Sequence, residues 1–437
     1  MNIQSETVRQ YVLDLLESGV FSGGMRLPGS RKLSEQLGIS RPVVQSALDT
    51  MVNEGVLRSV SRSGLYVDEE WKSRRIRGCI KFYTNGTYLP WLERFRKDMK
   101  SILPELHVST VCDEGVFEIV TTAIAQTRHR EFVDLMPLLK KCYPDLSSFC
   151  TEQFYPFMQE ERLTALPLVF SPRVIACNRR LLAAAGCGEP ALDWSMDDFM
   201  TLVQKLKKIY PPEMIFPWTS SYYLWMNFLL CCGGKLFCLD REDPVCFDTP
   251  ESIAALEYFR QLKCSLNMER NQLLLQCDKF VFSVVDWQLY GLNKEAFADQ
   301  FLFLPMPGTR PEYSGRSIQA TELLVMRKGS LDKEFGIPII RYLLSAPFQD
   351  HLAELDHGIP VRISSMQKVF AEPDQAGRVF CLVRERLCNE YHLSSPDLFR
   401  LVSSGIASVL AGSGNIRQEV CELADVVRKY LKYTSFK

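Results

Sequence analysis

The stretch from Leu27 to Val67 constrains this chain more than any other part, because helix, turn and hairpin signals follow one another there without a gap. Ser30 is a suitable N-cap for a short helix with apolar residues four apart, and Gly38 is suited to end it in the left-handed region. Ser40 then caps a second helix. Pro42 is tolerated in its first turn, where N–H groups have no intrahelical partner. The stretch therefore predicts two short helices joined by a tight turn.

The second predicted helix has one apolar face and one polar face at about 100° per residue. The apolar face, which suits a small core, consists of Val43, Val44, Ala47, Leu48 and Met51. The polar face consists of Arg41, Pro42, Gln45, Ser46, Asp49 and Asn53. Arginine pairs with guanine O6 and N7 in the major groove, and glutamine pairs with adenine N6 and N7. This face therefore indicates a helix that reads DNA.

A hairpin signal follows the second helix. Gly55 ends the helix, and two short strand-like runs, at 56–57 and 65–67, flank the turn 61–64. Arg62 lies at the tip of this turn, and Gly64 supplies the backbone freedom that a tight turn needs. The sequence thus predicts a β-wing after the two helices.

The combined pattern resembles the winged helix-turn-helix of the GntR family of bacterial transcription regulators. The matching residues are Leu27-Pro28, Arg31, Leu33, Ser40-Arg41, Val44, Ala47-Leu48, Glu54-Gly55, Gly64, Tyr66 and Val67. The resemblance implies that Arg31, Arg41 and Gly64 contact DNA, and Ser40, Gln45 and Arg62 complete the predicted interface. Gly29-Ser30 replaces the usual Ser-Glu, and Gln45 replaces a second arginine, which leaves the operator sequence open. A winged helix used only for protein contacts is the alternative.

Composition narrows the class of protein. A chain of 437 residues holds two or three domains, and its net charge of −1 argues against a generally basic nucleic-acid coat. The segment from Arg26 to Arg62, however, carries six Lys or Arg against three Asp or Glu. The 15 cysteines lack a C-x-x-C pair, the N-terminus lacks an apolar signal core, and no run of 18 apolar residues occurs. We therefore expect a soluble cytoplasmic protein that does not enter a membrane.

Periodicity divides the chain into residues 1–69, a charged linker at 70–78, and a large domain at 79–437. Residues 4–18 read as a helix that completes the first core. In the large domain, strands and helices alternate, which predicts an α/β fold with a mostly parallel sheet covered on both sides. The predicted elements include strands at 79–83, 106–111, 132–135 and 173–178, and helices at 92–103, 118–126 and 179–185.

Residues 79–437 resemble the bacterial extracellular solute-binding proteins of the carbohydrate-binding type. The likeness lies in 174–187 with Pro190 and Trp194, in Gly233-Gly234 with 247–256, in 280–287, in 304–308, in 342–345 with Gln349, and in 358–362. The resemblance implies a type II periplasmic-binding-protein fold, in which a cleft separates two lobes. Cys177 stands where the family commonly has tyrosine before Asn178.

Sugars require aromatic faces for their C–H surfaces and amides or carboxylates for their hydroxyls. The chain offers such residues near predicted strand ends, and the predicted ligand-binding set is Asn85, Asp134, Trp225, Asp286 and Trp287. Gln319 and Glu322 flank a further predicted crossing of the cleft. For each of these residues, core packing or helix capping is the competing interpretation.

These patterns together predict a ligand-responsive bacterial transcription regulator that binds double-stranded operator DNA as a homodimer and senses a small molecule of the sugar class in its cleft. No catalytic constellation, metal site or resident cofactor is predicted, because the cysteines and histidines lack ligand spacing and no phosphate-binding or nucleophile motif occurs. The alternative is a solute-binding protein of a carbohydrate uptake system, and an enzyme acting on a small molecule is a second rival.

Overall fold

The computed structural model of the chain describes residues 3–17, 20–53, 55–69, 71, 79–82, 89–104, 106–109, 116–159, 161–238, 240–264, 279–297, 299–328, 336–388 and 395–434. Within these ranges the buried apolar residues form separate clusters: one belongs to the N-terminal unit, and two belong to the large domain. The fold is mixed α/β, as the sequence predicts.

The N-terminal unit is a winged helix. Its elements are α1 (Ile3–Glu17), α2 (Ser30–Leu37), α3 (Arg41–Asn53), β1 (Leu57–Val60) and β2 (Gly64–Val67). The core is assembled from the apolar faces of the three helices and from the base of the hairpin. Gly38 has φ 65°, which confirms that it ends α2 in the left-handed region.

Three local details of this unit differ from the sequence prediction. Gly29, not Ser30, occupies the N-cap of α2, and Ser30 is the first helical residue. A further segment, 24–27, pairs with β2, since Leu27 N–H donates to the Leu65 carbonyl at 2.8 Å. Trp71, placed in the predicted linker, is only 4% exposed and packs on the winged-helix core.

The large domain contains the remaining described elements. Its helices are α4 (Leu92–Ile102), α5 (Thr122–Thr127), α6 (Met136–Cys142), α7 (Arg179–Ala184), α8 (Met196–Leu206), α9 (Pro212–Ile215), α10 (Tyr222–Cys231), α11 (Pro250–Gln261), α12 (Trp287–Leu292), α13 (Lys294–Phe297), α14 (Gly336–Leu343), α15 (Ala346–Glu354), α16 (Ile363–Val369), α17 (Gln375–Val383), α18 (Pro396–Ala411) and α19 (Ile416–Tyr433). Its strands are β3 (Cys79–Phe82), β4 (His107–Ser109), β5 (Phe117–Val120), β6 (Met158–Gln159), β7 (Arg162–Leu163), β8 (Leu166–Ser171), β9 (Arg173–Asn178), β10 (Phe282–Asp286), β11 (Phe301–Pro305), β12 (Ala320–Met326) and β13 (Ile359–Pro360).

Two sheets define two lobes. Lobe 1 contains the sheet ordered β13-β8-β12-β5-β3-β4, and lobe 2 contains the sheet ordered β10-β9-β11. The six residues of β9 are all buried, because alternate side chains enter different cores: Val174 and Ala176 join one cluster, whereas Ile175 and Cys177 join the other. This alternation explains why β9 is apolar along its whole length except for its two ends.

The chain passes between the lobes along neighbouring segments. β8 continues into β9 through Pro172, and β11 returns to β12 through residues 306–319. A third passage, residues 370–374, joins α16 to α17. The first two passages are fastened together, since Arg173 N–H donates to Ser317 Oγ at 2.9 Å. These passages form the hinge.

The expected mostly parallel sheet is wrong. β3 runs parallel to β4 and β5, but β12 is antiparallel to β5 and β8, and both neighbours of β9 are antiparallel to it. The reason is topological, because a strand that returns from the other lobe enters its sheet in the opposite direction. Residues 118–120, predicted as helix, belong to β5, and residues 132–135 form only an isolated bridge through Phe132.

Candidate functional site

The exposed face of α3 carries the polar residues that the sequence assigns to DNA. Ser40 immediately precedes the helix, and its carbonyl accepts from Val44 N–H at 3.1 Å. Arg41 is exposed and forms no ion pair with the described residues. Gln45 lies one turn further along the same exposed face. Its Nε2 donates to Asp49 Oδ1 at 2.8 Å, so part of its amide is already engaged within the helix.

Arg31 extends this face from the first turn of α2. Its side chain is 84% exposed and its Nε lies 3.3 Å from Glu35 Oε1. An exposed ion pair of this kind contributes little to stability, so Arg31 would lose little by giving up this partner.

The wing supplies a second arginine and a glycine. Arg62 has φ 60°, a left-handed conformation at the tip of the turn. Gly64 has φ 113°, and a Cβ at this position would lie 3.2 Å from Nε of Arg26. Tyr66 stiffens the wing, since its hydroxyl lies 2.6 Å from Ser63 Oγ and its ring centroid lies 5.9 Å from Cζ of Arg58. Sequence reasoning missed the place of Arg26 beside the wing, because the pairing of 24–27 with β2 is not visible in local periodicity.

The floor of the inter-lobe cleft is built where the hinge passages meet. Ser171 Oγ accepts from the backbone N–H of Trp287, and Ser171 lies opposite Ala320 in the sheet of lobe 1. Arg173, two residues further on, lies opposite Asp286 in the sheet of lobe 2. Residues from both lobes therefore converge at one short stretch of backbone.

This floor contains buried polar groups without partners. Gln319 is 3% exposed, and within the described part of the chain neither its side-chain oxygen nor its side-chain nitrogen has a hydrogen-bond partner. Trp287 is also 3% exposed, and no described residue supplies an acceptor for its indole N–H. Leaving a buried donor or acceptor unsatisfied costs roughly 1–3 kcal/mol. A hydroxylated ligand would satisfy such groups when it binds between the lobes.

Two predicted carboxylates have backbone partners in the structure. Asp134 Oδ1 accepts from Met136 N–H at 3.0 Å and from Leu163 N–H at 2.9 Å. Asp286 Oδ1 accepts from Leu289 N–H at 2.9 Å and so caps α12. Each carboxylate retains a second oxygen, and their role toward a ligand stays a prediction.

The predicted aromatic residues lie in different surroundings. Trp287 packs edge-on against Tyr290 and Phe380, with centroid distances of 5.5 and 5.1 Å. Trp225 is 1% exposed and lies beneath a small apolar depression, whose rim includes Tyr222 and Phe399 in edge-to-face contact at 5.1 Å. The fifth predicted ligand residue, Asn85, lies outside the described residues.

Glu322 takes part in a polar chain at the hinge. It accepts from Trp91 Nε1 at 3.0 Å and contacts His357 Nε2 at 2.5 Å. His357 in turn contacts Gln288 of lobe 2 at 3.2 Å. The arrangement links the lobes on one side of the hinge, and Lys294 strengthens it through a bridge of 3.2 Å to Asp356.

The lobes also meet away from the hinge, where α18 of lobe 2 packs against α5 of lobe 1. The structure therefore shows the lobes in contact at both places. Among the described residues, no three His, Cys, Asp or Glu side chains are grouped so that they could hold a metal ion. In the same ranges, no helix combines the length and the apolar character required to span a bilayer.

Comparisons with known proteins agree with this division of the chain. Residues 4–67 match the family described as "Bacterial regulatory proteins, gntR family". The HTH-type transcriptional repressor NagR of Bacillus subtilis is 34% identical over 67 residues, which are 15% of this chain and 28% of that protein. A putative L-lactate dehydrogenase operon regulatory protein of Escherichia coli is 35% identical over 75 residues, 16% of this chain and 29% of that protein. The chain thus spans less than a third of the length of these relatives.

The large domain resembles solved solute-binding proteins. A Thermotoga lettingae ABC-transporter protein bound to α-D-tagatose superposes with a TM-score of 0.66 at 15% identity, covering 81% of this chain and 98% of that one. Maltose-bound MalE3 of T. maritima superposes with a TM-score of 0.64 at 16% identity, covering 81% of this chain and 99% of that one. UgpB of Mycobacterium tuberculosis, in complex with glycerophosphocholine, superposes with a TM-score of 0.67 at 13% identity. The match covers 82% of this chain and 99% of that one.

Fold and comparisons together define the class. Residues 4–67 are a GntR-type winged helix-turn-helix domain, and most of the remaining chain has the two-lobed fold of the solute-binding proteins. At such low identity the structural likeness establishes the fold of the large domain and leaves its ligand to be inferred from its own residues.

Proposed function

We propose that this protein is a ligand-responsive transcription regulator, which binds operator DNA through its winged helix and senses a hydroxylated small molecule of the sugar class in its cleft. One observation carries the proposal: the same chain contains a winged helix and a two-lobed domain. Arg41 is exposed on α3 of the winged helix, and the amide of Gln319 is buried without a described partner at the hinge of the two-lobed domain.

The DNA-binding half is supported by the distribution of charge. Arg31, Arg41 and Arg62 are all exposed, and they project from α2, α3 and the wing tip. In our proposal Arg41 and Gln45 contact base edges, while Arg31 and Arg62 contact phosphates and so position the helix in the groove. Ser40 and Gly64 allow the backbone to approach the DNA closely.

The proposed assembly is a homodimer in the cytoplasm, which reads half-sites about one helical turn apart. A ligand in the cleft can change the distance between the winged helices of the two copies only if the lobes adopt different positions in the bound and free states. The ligand must therefore bind the DNA-competent and DNA-incompetent states with different affinity.

DNA binding is tested by selecting duplexes from a random pool with the full chain and then measuring affinity for the enriched sequence. We expect an enriched sequence with two related half-sites, bound at least a thousandfold more tightly than scrambled duplex. Failure to enrich any sequence, with a chain whose circular dichroism shows it to be folded, would contradict the DNA-binding role.

A solute-binding protein of a carbohydrate uptake system is the second candidate, because the large domain shares its fold with proteins of that class. The two candidates differ in whether ligand alters DNA affinity. A ligand that binds tightly while operator affinity stays constant would favour the uptake role, and a coupled change would favour the regulator.

A further inference from the structure

The hinge contains a buried positive charge that has no negative partner among the described residues. Arg173 is 8% exposed, and no described Asp or Glu forms an ion pair with it. Its Nη1 donates to the Tyr223 carbonyl at 3.0 Å, and its Cζ lies 5.6 Å from the centre of the Tyr223 ring. Its Nε is also buried and has no hydrogen-bond partner in the ranges that the structure describes.

The acidic residue nearest in the strand register does not neutralise this charge. Asp286 of β10 lies opposite Arg173 of β9 in the strand pairing. Its carboxylate, however, accepts a hydrogen bond from Leu289 N–H at 2.9 Å. Burying a guanidinium without a carboxylate is unfavourable, so an anion that reached Arg173 would supply the negative charge that the described residues do not.

A second positive feature lies beside Arg173. Its contact with Tyr223 places it at the first turn of α10, a ten-residue helix whose N-cap, Ser221, makes no side-chain capping bond. The helix dipole gives this end a partial positive charge, which favours an anion. The guanidinium fork matches the geometry of carboxylate and phosphate oxygens.

We infer that the ligand of the proposed regulator carries an oxyanion, as in a sugar phosphate or a sugar acid, and that Arg173 with the N-terminus of α10 binds this group. The inference rests on the proposed function, since it names the chemical class of the effector in the same cleft. Gln319 and Trp287 are then left for the hydroxyl groups, because their unpartnered atoms include one acceptor and two donors.

The experiment is calorimetry on the full chain with matched sets of small molecules. Each set contains a neutral sugar, its phosphate ester and its uronic acid, for example glucose, glucose 6-phosphate and glucuronate. We expect at least one charged compound to bind tenfold or more tightly than its neutral counterpart. The phosphate and uronate arms show which oxyanion the site takes.

Variants assign the effect to Arg173. Arg173→Met should remove the preference for the charged compound, and Arg173→Lys, which keeps the charge but not the fork, should retain part of it. Arg179→Met is the matched control, because Arg179 is a half-buried arginine of the same lobe already paired with Glu189. It should bind the charged compound as the parent chain does. Thermal unfolding of each variant shows whether it is folded.

The outcomes separate the two proposals. Equal or tighter binding of neutral sugars, or an unchanged preference in folded Arg173→Met, would overturn the oxyanion site while leaving sugar sensing intact. Absence of binding by every compound in all three arms would overturn sugar sensing itself, and the oxyanion site with it.

Discussion

Replacing Arg41 by alanine isolates the base-reading contact that we propose for α3. Arg41 has no ion-pair partner among the described residues and is exposed, so the substitution should change the free energy of unfolding by less than about 0.5 kcal/mol. A bidentate arginine–guanine contact contributes roughly 1–3 kcal/mol of discrimination. Two half-sites in a dimer then lose about 2–6 kcal/mol, which is roughly a 30-fold to 20,000-fold loss of affinity.

The assay is fluorescence anisotropy with the selected operator and with a scrambled duplex of the same length. Arg41→Ala should weaken operator binding by that amount and scrambled binding much less. Arg62→Ala is the comparison, because a phosphate contact at the wing weakens both duplexes alike and lowers the salt slope by about 0.9 per phosphate. An equal loss on both duplexes for Arg41→Ala, or no loss, would refute base reading by this residue.

Further predictions concern the wing, the recognition helix, the hinge and pH. Asp49→Ala should raise operator affinity in the same assay, because Gln45 loses its 2.8 Å partner and a negative charge leaves the interface. Gly64→Ala should lower the free energy of unfolding of the winged helix by about 1–2 kcal/mol, measured by calorimetry, since φ is 113°. Gln349→Leu should lower the free energy of unfolding of the large domain by roughly 2–3 kcal/mol, because Nε2 donates to the Leu168 and Leu343 carbonyls at 3.1 and 2.9 Å. Operator affinity should not change. Burial lowers the pKa of His129 below 6.5, so the unfolded chain binds the proton more readily and stability should fall as pH drops below that value. An acid-side stability curve that His129→Gln leaves unchanged would contradict this last assignment.

The sequence predicted the winged helix well because its signals are local. Spacing on α3 identified Val44 and Leu48 as core and Arg41 as exposed, and Gly38 marked the end of α2. The segment 24–27 escaped prediction, since its pairing with β2 joins residues about forty positions apart and depends on no nearby pattern.

The large domain shows where local reasoning ends. Its fold class was predicted because several segments resemble those of the solute-binding proteins in the same order along the chain. Strand direction, however, depends on how the chain crosses between the lobes, and hydrophobic periodicity does not encode this. Residues 116–120 are a short run, apolar except for Glu118, that fits helix or strand equally, and neighbouring strands decide the outcome. Asp134 and Asp286 illustrate a further limit, because a carboxylate at a strand end suits a cap as well as a ligand.

The cleft floor could be predicted only in part. Trp287 and Gln319 were recognised near the crossings, but the burial that leaves their polar atoms unpartnered is a property of the assembled lobes. Arg173 gave no signal in the sequence, where it stands between apolar residues at the start of a strand. Its importance emerges from the missing carboxylate, which only the packed structure reveals.

The most direct test of the regulator is the affinity of the full chain for its selected operator, measured by anisotropy with and without the compound that calorimetry shows to bind most tightly. We predict that a saturating amount of this compound changes the operator dissociation constant at least fivefold, and that operator changes the affinity for the compound by the same factor. An operator affinity that stays constant across the titration, while the compound demonstrably occupies the cleft, would contradict the coupling between the two parts of the chain.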